Sequence, residues 1–514
     1  MAIDASTATH EADREAAAVA VRPSTRASRQ AIILVHGMGE QIPMDTIKSF
    51  AKIAWRNGVH IHGGTDADEI WSKPDPKTGS LELRRLTTRK TMAGGAYPHG
   101  VRADFYELYW ADLTAGSTWQ QFVTWTRYLL FRPFSKVPPP VRAAWVCLWL
   151  LSLLAFAIAV AVVLPQSIWA MFAPDWVRPI AVAVVAALTA SIHQMAIRSF
   201  GRVVRYTRAQ PDNIAARAAV RERGLQLLRS LHESDEYNRI TIVSHSLGTI
   251  LAYDLINYFW AEREAARTFK VGTSCFTALQ ELEQAASALD AAINAARGQR
   301  DDSRLTPKQC ATIRATEEYR TFRACQVELR RHMGSPDELS ERWLISDLVT
   351  LGSPLTHAEF LLAQDWTDLS LRQRQREVPT SPPFRELLEP RTLGLAKSLG
   401  GFPIANPEQA SRLLSFPQRR AFDDQEPLQW TLHHGAPFAV VRWTNIFDPS
   451  RFVVQGDLIS GPLGATFGPA IEDIDLAAVD RRSTSFTHTK YWDEASSTLR
   501  SEVLRNALNV LDEN

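Results

Sequence analysis

The chain has 514 residues, enough for one large domain or for several. Hydrophobic residues make up 45% and charged residues 22%, which excludes a disordered chain and a collagen-like one. The 57 Lys and Arg residues balance the 56 Asp and Glu residues, so the basic surplus of a nucleic-acid-binding protein is missing. The four cysteines form no CxxC pair, and we expect neither a disulfide framework nor a zinc site.

Residues 1–30 are rich in Ala, Arg, Glu, Ser and Thr, and their longest apolar stretch runs only from Ala16 to Val21. A secretory signal needs at least ~7 apolar residues behind a basic start, and Met1 is followed by Ala, Ile and Asp. We therefore interpret residues 1–30 as a disordered tail.

A long apolar segment interrupts the chain from Ala144 to Leu164, where 21 residues carry no charge. At about 1.5 Å per residue, a helix of this length spans about 31 Å, the thickness of a bilayer's hydrocarbon core. A second uncharged segment, Pro179 to Ile197, holds four polar side chains in its second half, so a re-entrant or surface helix is the alternative there. The sequence predicts a transmembrane hairpin over residues 138–200.

Basic residues flank both outer ends of this hairpin, whereas the connector between the two segments holds only Arg178. Basic residues stay on the cytoplasmic side of a membrane. We therefore expect a multi-pass protein with two spans, the lipid bilayer as a partner, and the rest of the chain in the cytoplasm.

Two segments, one on each side of the hairpin, have the pattern of a strand that ends in a catalytic turn. Ala31 to Val35 reads AIILV, as expected of a buried parallel strand, and HGMGE follows it. Arg239 to Val243 reads RITIV, and SHSLG follows with Ser246 at its centre. The next residues, Thr249 to Trp260, have a helical apolar rhythm. A strand, a tight turn with a serine at its apex and a helix form a nucleophile elbow.

These segments, ILVHGMG and ITIVSHSLGT, resemble the α/β-hydrolase superfamily on its lipase and esterase side. One position departs from the usual GxSxG pattern, because Ser244 replaces the first glycine. The resemblance implies an α/β-hydrolase fold, a mostly parallel sheet flanked by helices, with Ser246 as the nucleophile. It also implies an oxyanion hole made by the backbone N–H groups of Met38 and Leu247. The supporting turns would be shaped by His36, Gly37, Gly39 and Gly248.

In this superfamily an acid and then a histidine follow the serine along the chain. His488, in SFTHTKYW just before a final helix predicted from Asp493 to Leu511, is the expected base. His433 and His434 precede a predicted strand, Phe438 to Asn445, and His357 comes too early.

The acid is open between two aspartates that follow this strand. Asp457 lies in GDLISGP, which resembles the GDPV-like string of lipase relatives, and we favour it. Asp448 lies nearer to the end of the strand and is the alternative, with Glu359 as a third candidate.

Residues 261–341 form a second predicted insertion, because the apolar spacing from Leu279 to Ile293 favours a helix with a coiled-coil-like seam. Thr306 and Pro307 mark the start of another helix. The insertion is interpreted as a lid, as a protein-partner site or as an addition that only packs on the core. The hydrolase core would then comprise residues 31–137, 201–260 and 342–514, with strands near Ala31, Ala103, Ile240, Ile345 and Phe438.

We expect a membrane-anchored serine hydrolase of the carboxylic ester hydrolase class, which cleaves an acyl ester through an acyl-enzyme, with an acyl-ester lipid as the expected substrate class. No cofactor or metal is expected, and the sequence holds neither of the common nucleotide-binding motifs. The alternative is a catalytically inactive α/β-hydrolase-like membrane scaffold that binds protein partners through residues 261–341. Hydrolysis of a thioester or an amide by the same residues is a third hypothesis.

Overall fold

The computed structural model describes most of the chain between residues 28 and 513. The described ranges are 28–37, 42–56, 58–63, 69–114, 211–298, 304–335, 338–389, 412–418, 429–450, 455–457, 459–480, 487–493 and 498–513, with isolated positions from 131 to 183. The predicted tail and the predicted spans lie outside these residues, apart from such isolated positions and from residues 28–30. Within the described part, no helix combines the length and the apolar character that crossing a membrane requires.

Thirteen strands occur in the described residues. They are β1 (Arg29–Val35), β2 (Ile70–Pro74), β3 (Arg84–Lys90), β4 (Arg102–Leu108), β5 (Arg239–His245), β6 (Thr268–Lys270), β7 (Ile345–Leu351), β8 (Glu386–Leu387), β9 (Arg412–Leu413), β10 (Ser415–Gln418), β11 (Gln429–Leu432), β12 (Arg442–Phe447) and β13 (Glu472–Asp475). Eight of them form one sheet in the order β13-β12-β7-β5-β1-β4-β3-β2. Neighbours from β13 to β4 are parallel, and β3 pairs antiparallel with β4 and with β2.

Helices cover this sheet. They are α1 (Asp45–Ala51), α2 (Val59–His62), α3 (Pro211–Glu233), α4 (Gly248–Glu262), α5 (Ser274–Arg297), α6 (Pro307–Arg314), α7 (Glu317–Gly334), α8 (Ala358–Leu361), α9 (Trp366–Arg374), α10 (Gly464–Phe467), α11 (Leu476–Val479) and α12 (Thr498–Leu508). The alternating side chains of β1 show how both faces are buried. Ile33 and Val35 belong to one core with residues of α4, and Ile32 and Leu34 belong to a second core with residues of α12. Such burial on two faces is typical of a parallel sheet.

The expected α/β class with a mostly parallel sheet is confirmed, and all five predicted strand regions supply a strand of this sheet. The prediction for Phe438 to Asn445 is wrong at its start. Pro437–Ala439 forms a single helical turn, in which the N–H groups of Val440 and Val441 bond to the Pro437 carbonyl, and the strand begins at Arg442. Proline has no N–H for a sheet ladder, so the chain turns there before it joins the sheet.

The two helices predicted in residues 261–341 are present. Helix α5 packs along α7, and α6 begins with a capping box in which Thr306 and Gln309 bond to each other's backbone N–H groups. Glu283 of α5 is buried and accepts bonds from the N–H groups of Leu414 and Ser415. The apolar residues of these helices belong to the same core as β5 and β7, so the segment is packed onto the sheet.

A buried ion cluster joins three parallel strands near their amino ends. Asp347 of β7 bonds to Arg239 of β5 and, at 2.5 Å, to Arg442 of β12. Burial alone would raise the pKa of Asp347, but the two guanidinium groups outweigh burial and hold this pKa well below its usual range. The charged form of Asp347 is therefore the form that the fold stabilises.

Replacing Asp347 by alanine leaves the buried Arg442 guanidinium group without this carboxylate and Arg239 with only Asp512, at 3.9 Å. We expect Asp347→Ala to lower the free energy of unfolding at neutral pH by about 3–5 kcal/mol, measured by urea unfolding of the full chain in detergent. Because the folded-state pKa is depressed, this contribution is present above about pH 4 and is lost as the pH falls toward the folded-state pKa. Glu317→Ala removes an exposed ion pair with Arg320 and should change the same quantity by less than about 1 kcal/mol.

Candidate active site

The turn between β5 and α4 holds Ser246 in a conformation that L-residues rarely adopt. Its φ is 51°, in the left-handed region, and the residue is 3% exposed. The Ser246 N–H donates to the Leu351 carbonyl at the end of β7 (3.0 Å), and the Ser246 carbonyl accepts from the Thr249 hydroxyl (2.7 Å). Strain of this kind persists where the surroundings fix the backbone, and it clusters at functional sites.

Two glycines let the chain pass this turn at close range. A Cβ on Gly37 would lie 2.8 Å from the Ser246 Cβ, and a Cβ on Gly248 would lie 2.4 Å from the His36 carbonyl oxygen. Both distances are too short for any side chain, so the ends of β1 and α4 can meet the serine only with glycine at these positions.

Ser244, the departure from the usual motif, fits the strand without disturbing it. The residue is fully buried, and its hydroxyl donates to the Val349 carbonyl on β7 at 3.2 Å. Ser244 can therefore take the place of the glycine, because its buried hydroxyl has a hydrogen-bond acceptor.

The structure brings Ser246, His488 and Asp457 together. His488 Nε2 lies 2.8 Å from Ser246 Oγ, and His488 Nδ1 lies 2.9 Å from Asp457 Oδ2. A carboxylate only accepts, so Nδ1–H donates to Asp457, and Nε2 is left to accept the serine hydroxyl proton. This is the arrangement that a histidine needs to act as the general base for a serine.

Asp457 is fully buried and is held by three donors. Besides His488, the Tyr491 hydroxyl donates to Oδ2 (2.8 Å) and the Ile459 N–H donates to Oδ1 (2.9 Å). Burial would raise the pKa of Asp457, but the bonds from His488, Tyr491 and Ile459 outweigh burial and lower the pKa below its usual value. Asp457 thus keeps a negative charge next to the His488 ring.

The alternative acid has a different partner. Asp448 accepts from Arg500 at 3.0 Å, and its carbonyl accepts from the Asp457 N–H at 2.9 Å. The two aspartates are therefore backbone neighbours, and only Asp457 has its carboxylate on His488. Glu359, the third candidate, pairs with Arg304 at 3.4 Å.

Sequence reasoning missed two residues that hold His488 in place. His245 Nε2–H donates to the His488 carbonyl (2.7 Å), and the two rings lie 5.1 Å apart. Burial and the neighbouring His488 lower the pKa of His245 to about 3, so it is neutral at pH 7. Tyr491 is the second, because its hydroxyl fixes Asp457. The sequence signal for each residue is its position: His245 directly precedes Ser246, and Tyr491 shortly follows His488.

His36 shapes the turn after β1. Its Nδ1–H donates to the Gly37 carbonyl (2.8 Å), and its Nε2 accepts from the Trp110 N–H (3.3 Å). The Trp110 indole stacks on the imidazole at 5.3 Å and donates to the His36 carbonyl. His36 therefore orients backbone and indole groups.

Leu247 lies between Ser246 and the first residue of α4, where helix N–H groups have no acceptor within the helix. Met38, the other predicted donor of the oxyanion hole, and Gly39 of the predicted supporting turn lie outside the described residues. The prediction that Met38 supplies a second donor therefore stays a prediction.

The alternative base His433 is held elsewhere. Its Nε2–H donates to the Phe384 carbonyl (2.8 Å), and its Nδ1 accepts from the Gly435 N–H. Burial lowers the pKa of His433 to about 3. The described residues hold no group of three or more His, Cys, Asp or Glu side chains placed to bind a metal ion.

Comparison of the chain with family models, with curated proteins and with solved structures finds no match. The geometry of the site therefore carries the functional argument by itself.

Proposed function

We propose that the protein is a serine hydrolase that cleaves an acyl ester, with Ser246 as nucleophile, His488 as general base and Asp457 as the orienting acid. The observation that carries the proposal is the continuous chain of contacts from Ser246 Oγ to His488 to Asp457, at 2.8 and 2.9 Å. The serine donates to the histidine and the histidine donates to the aspartate, as the roles of nucleophile, base and orienting acid require.

The proposed reaction begins when Ser246 Oγ attacks the ester carbonyl and His488 Nε2 takes the hydroxyl proton. Asp457 stabilises the imidazolium ion, and the Leu247 N–H binds the oxyanion of the tetrahedral intermediate. The C–O bond breaks as His488 returns the proton to the leaving alcohol, which leaves an acyl-enzyme. Water then attacks the acyl group, His488 takes a proton from it and returns it to Ser246, and the acid departs.

The sheet order supports the finer proposal of an α/β-hydrolase fold. Ser246 follows the central strand β5, and Asp457 and His488 follow the two last strands of the sheet, β12 and β13. This is the chain order of nucleophile, acid and base that the sequence resemblance implies. The antiparallel pair β2 and β3 lies between β1 and β4 in the chain and extends the sheet at its edge.

We further propose that the apolar hairpin anchors this hydrolase to a bilayer and that its ester is part of a lipid. Helical positions described between residues 146 and 160 expose large apolar side chains at a spacing of three or four residues. They are Val146, Leu150, Leu153, Phe156 and Val160. Exposed apolar side chains at this spacing favour contact with a membrane or a partner, and basic residues on both sides of the hairpin favour the membrane.

A fluorophosphonate probe tests the nucleophile directly, because it reacts with a serine only when a base activates it. We expect labelling of the native protein in isolated membranes and no labelling of Ser246→Ala. Ser244→Ala is the matched control, because it removes a hydroxyl two positions away and should remain labelled. A folded native protein that resists labelling would favour the inactive scaffold.

Asparagine substitutions distinguish the two aspartates. Asp457→Asn removes the charge beside His488 and favours the wrong tautomer, so we expect labelling and ester hydrolysis to slow on the order of 10⁴-fold. Asp448→Asn disturbs only the bond to Arg500 and should retain most of the native rate. Equal losses in the two variants, compared by the rate of probe labelling, would contradict the assignment.

Membrane anchoring is tested by washing membranes with alkaline carbonate, which releases peripheral proteins. We expect the full chain to stay in the pellet. A membrane-impermeant maleimide should label the partly exposed Cys325 on α7 only after the cells are permeabilised, with Cys325→Ser as control. Release by carbonate contradicts the anchor, and labelling of intact cells contradicts the cytoplasmic orientation.

A further inference from the structure

A cavity of about 420 Å³ lies apart from the proposed triad, none of whose residues lines it. Its walls come from α5, α9, α10 and the segment from Thr380 to Arg385. Its volume falls within the range of small-molecule binding sites.

The charged groups of the cavity are strongly unbalanced. Among the described residues, five arginines and one carboxylate line it: Arg297, Arg304, Arg374, Arg385, Arg412 and Asp290. Asp290 accepts from Arg385 at 2.6 Å, and Glu359 pairs with Arg304 just outside the lining. In the described part of the chain, five positive charges thus face two negative ones.

Two of these arginines interact with Asp290 only through space, because that carboxylate is bonded to Arg385. Arg297 ends α5 and Arg412 begins β9, and neither forms an ion pair with a described residue. Like charges gathered in a recess repel each other more strongly than in water, because the protein screens them less. A bound anion would remove that repulsion.

Another arginine is already held in position. The Arg304 Nη2 donates to the Thr466 hydroxyl at 2.6 Å, and its guanidinium group lies 5.0 Å from the centre of the Trp366 ring. Held from two sides, Arg304 loses little conformational freedom when it binds a ligand. Guanidinium groups match the oxygens of a phosphate in pairs, which favours this anion over a monovalent ion such as chloride.

Apolar side chains complete the lining. Leu305, Trp366 and Phe384 border the same space, so the cavity offers a surface for carbon atoms beside its arginines. A free inorganic ion would leave that surface without a partner. The combination is suited to a ligand with an anionic group and an organic body.

We propose that this cavity binds a small organic phosphate, whose phosphate oxygens bind Arg297, Arg304 and Arg412 and whose organic part packs on Trp366. The phosphate belongs either to a soluble metabolite or to the headgroup of a lipid. The inference does not depend on hydrolysis at Ser246.

Binding is measured on the full chain in detergent by calorimetry, with glycerol phosphate and with a short-chain phosphatidic acid as the two probes. Because Arg297 and Arg412 form no ion pair with a described residue, Arg297→Ala and Arg412→Ala should fold, as checked by melting temperature. We expect each variant to weaken binding by about 10-fold or more. Arg320→Ala, which breaks an exposed ion pair on α7, should bind as the native chain does.

Arginine-dependent binding of glycerol phosphate would identify a soluble ligand, and arginine-dependent binding of the phosphatidic acid alone would identify a lipid headgroup. Either result supports the proposal. Binding of neither probe, or binding that the arginine variants leave unchanged, overturns it. Equal affinity for inorganic phosphate and glycerol phosphate overturns the assignment of an organic ligand. Because folding is judged by melting temperature and not by activity, the binding measurement can be interpreted even if the proposed hydrolase activity is absent.

Discussion

The left-handed turn at Ser246 is the constraint on which the rest of the site depends. A non-glycine residue at a φ of 51° is stable only if its neighbours leave it no other conformation. Here β1 and β7 lie on either side of β5, and both contribute. The Leu351 carbonyl at the end of β7 accepts a hydrogen bond from the Ser246 N–H, and Gly37 after β1 packs against the serine itself. The position of β5 in the middle of the sheet is therefore a requirement for the turn.

The partners of Ser246 follow β12 and β13, the last two strands along the chain. Because these partners are buried, their hydrogen bonds must be complete. A buried carboxylate is costly unless donors surround it, and Asp457 has His488, Tyr491 and the Ile459 N–H. The Tyr491 ring lies on the same loop as His488, so one short segment supplies both the base and a donor that fixes the acid. His245, next to the nucleophile, bonds to the backbone of that loop. Nucleophile, base and acid are thus coupled through the backbone as well as through their side chains.

The sequence predicted the strand, turn and helix at Ser246 because their pattern is local: an apolar run, small residues and a helical rhythm within one segment. It favoured Asp457 over Asp448 only through the resemblance of GDLI to a lipase string, because both aspartates follow β12 and their different partners include Arg500 on the distant helix α12. It missed β13, whose sequence EDID lacks the apolar residues of a buried strand. That strand pairs at the outer edge of the sheet, and its nearly buried Asp473 accepts bonds from Asn445 and from the N–H groups of Leu463 and Gly464. The strand register and the pairing of side chains are non-local properties, which composition and spacing do not encode.

Opposite ends of the parallel strands have opposite physical roles. Near the amino ends, Asp347 holds Arg239 and Arg442 in a buried cluster that spans β5, β7 and β12. At the carboxyl ends, the same strands lead into Ser246 and into the loop that carries Asp457. Because all three strands run in one direction, an ion cluster that fixes their relative position at one end also fixes the spacing of the loops at the other. A strained turn and a buried carboxylate can then be held in register, since the strands beneath them cannot slide past one another.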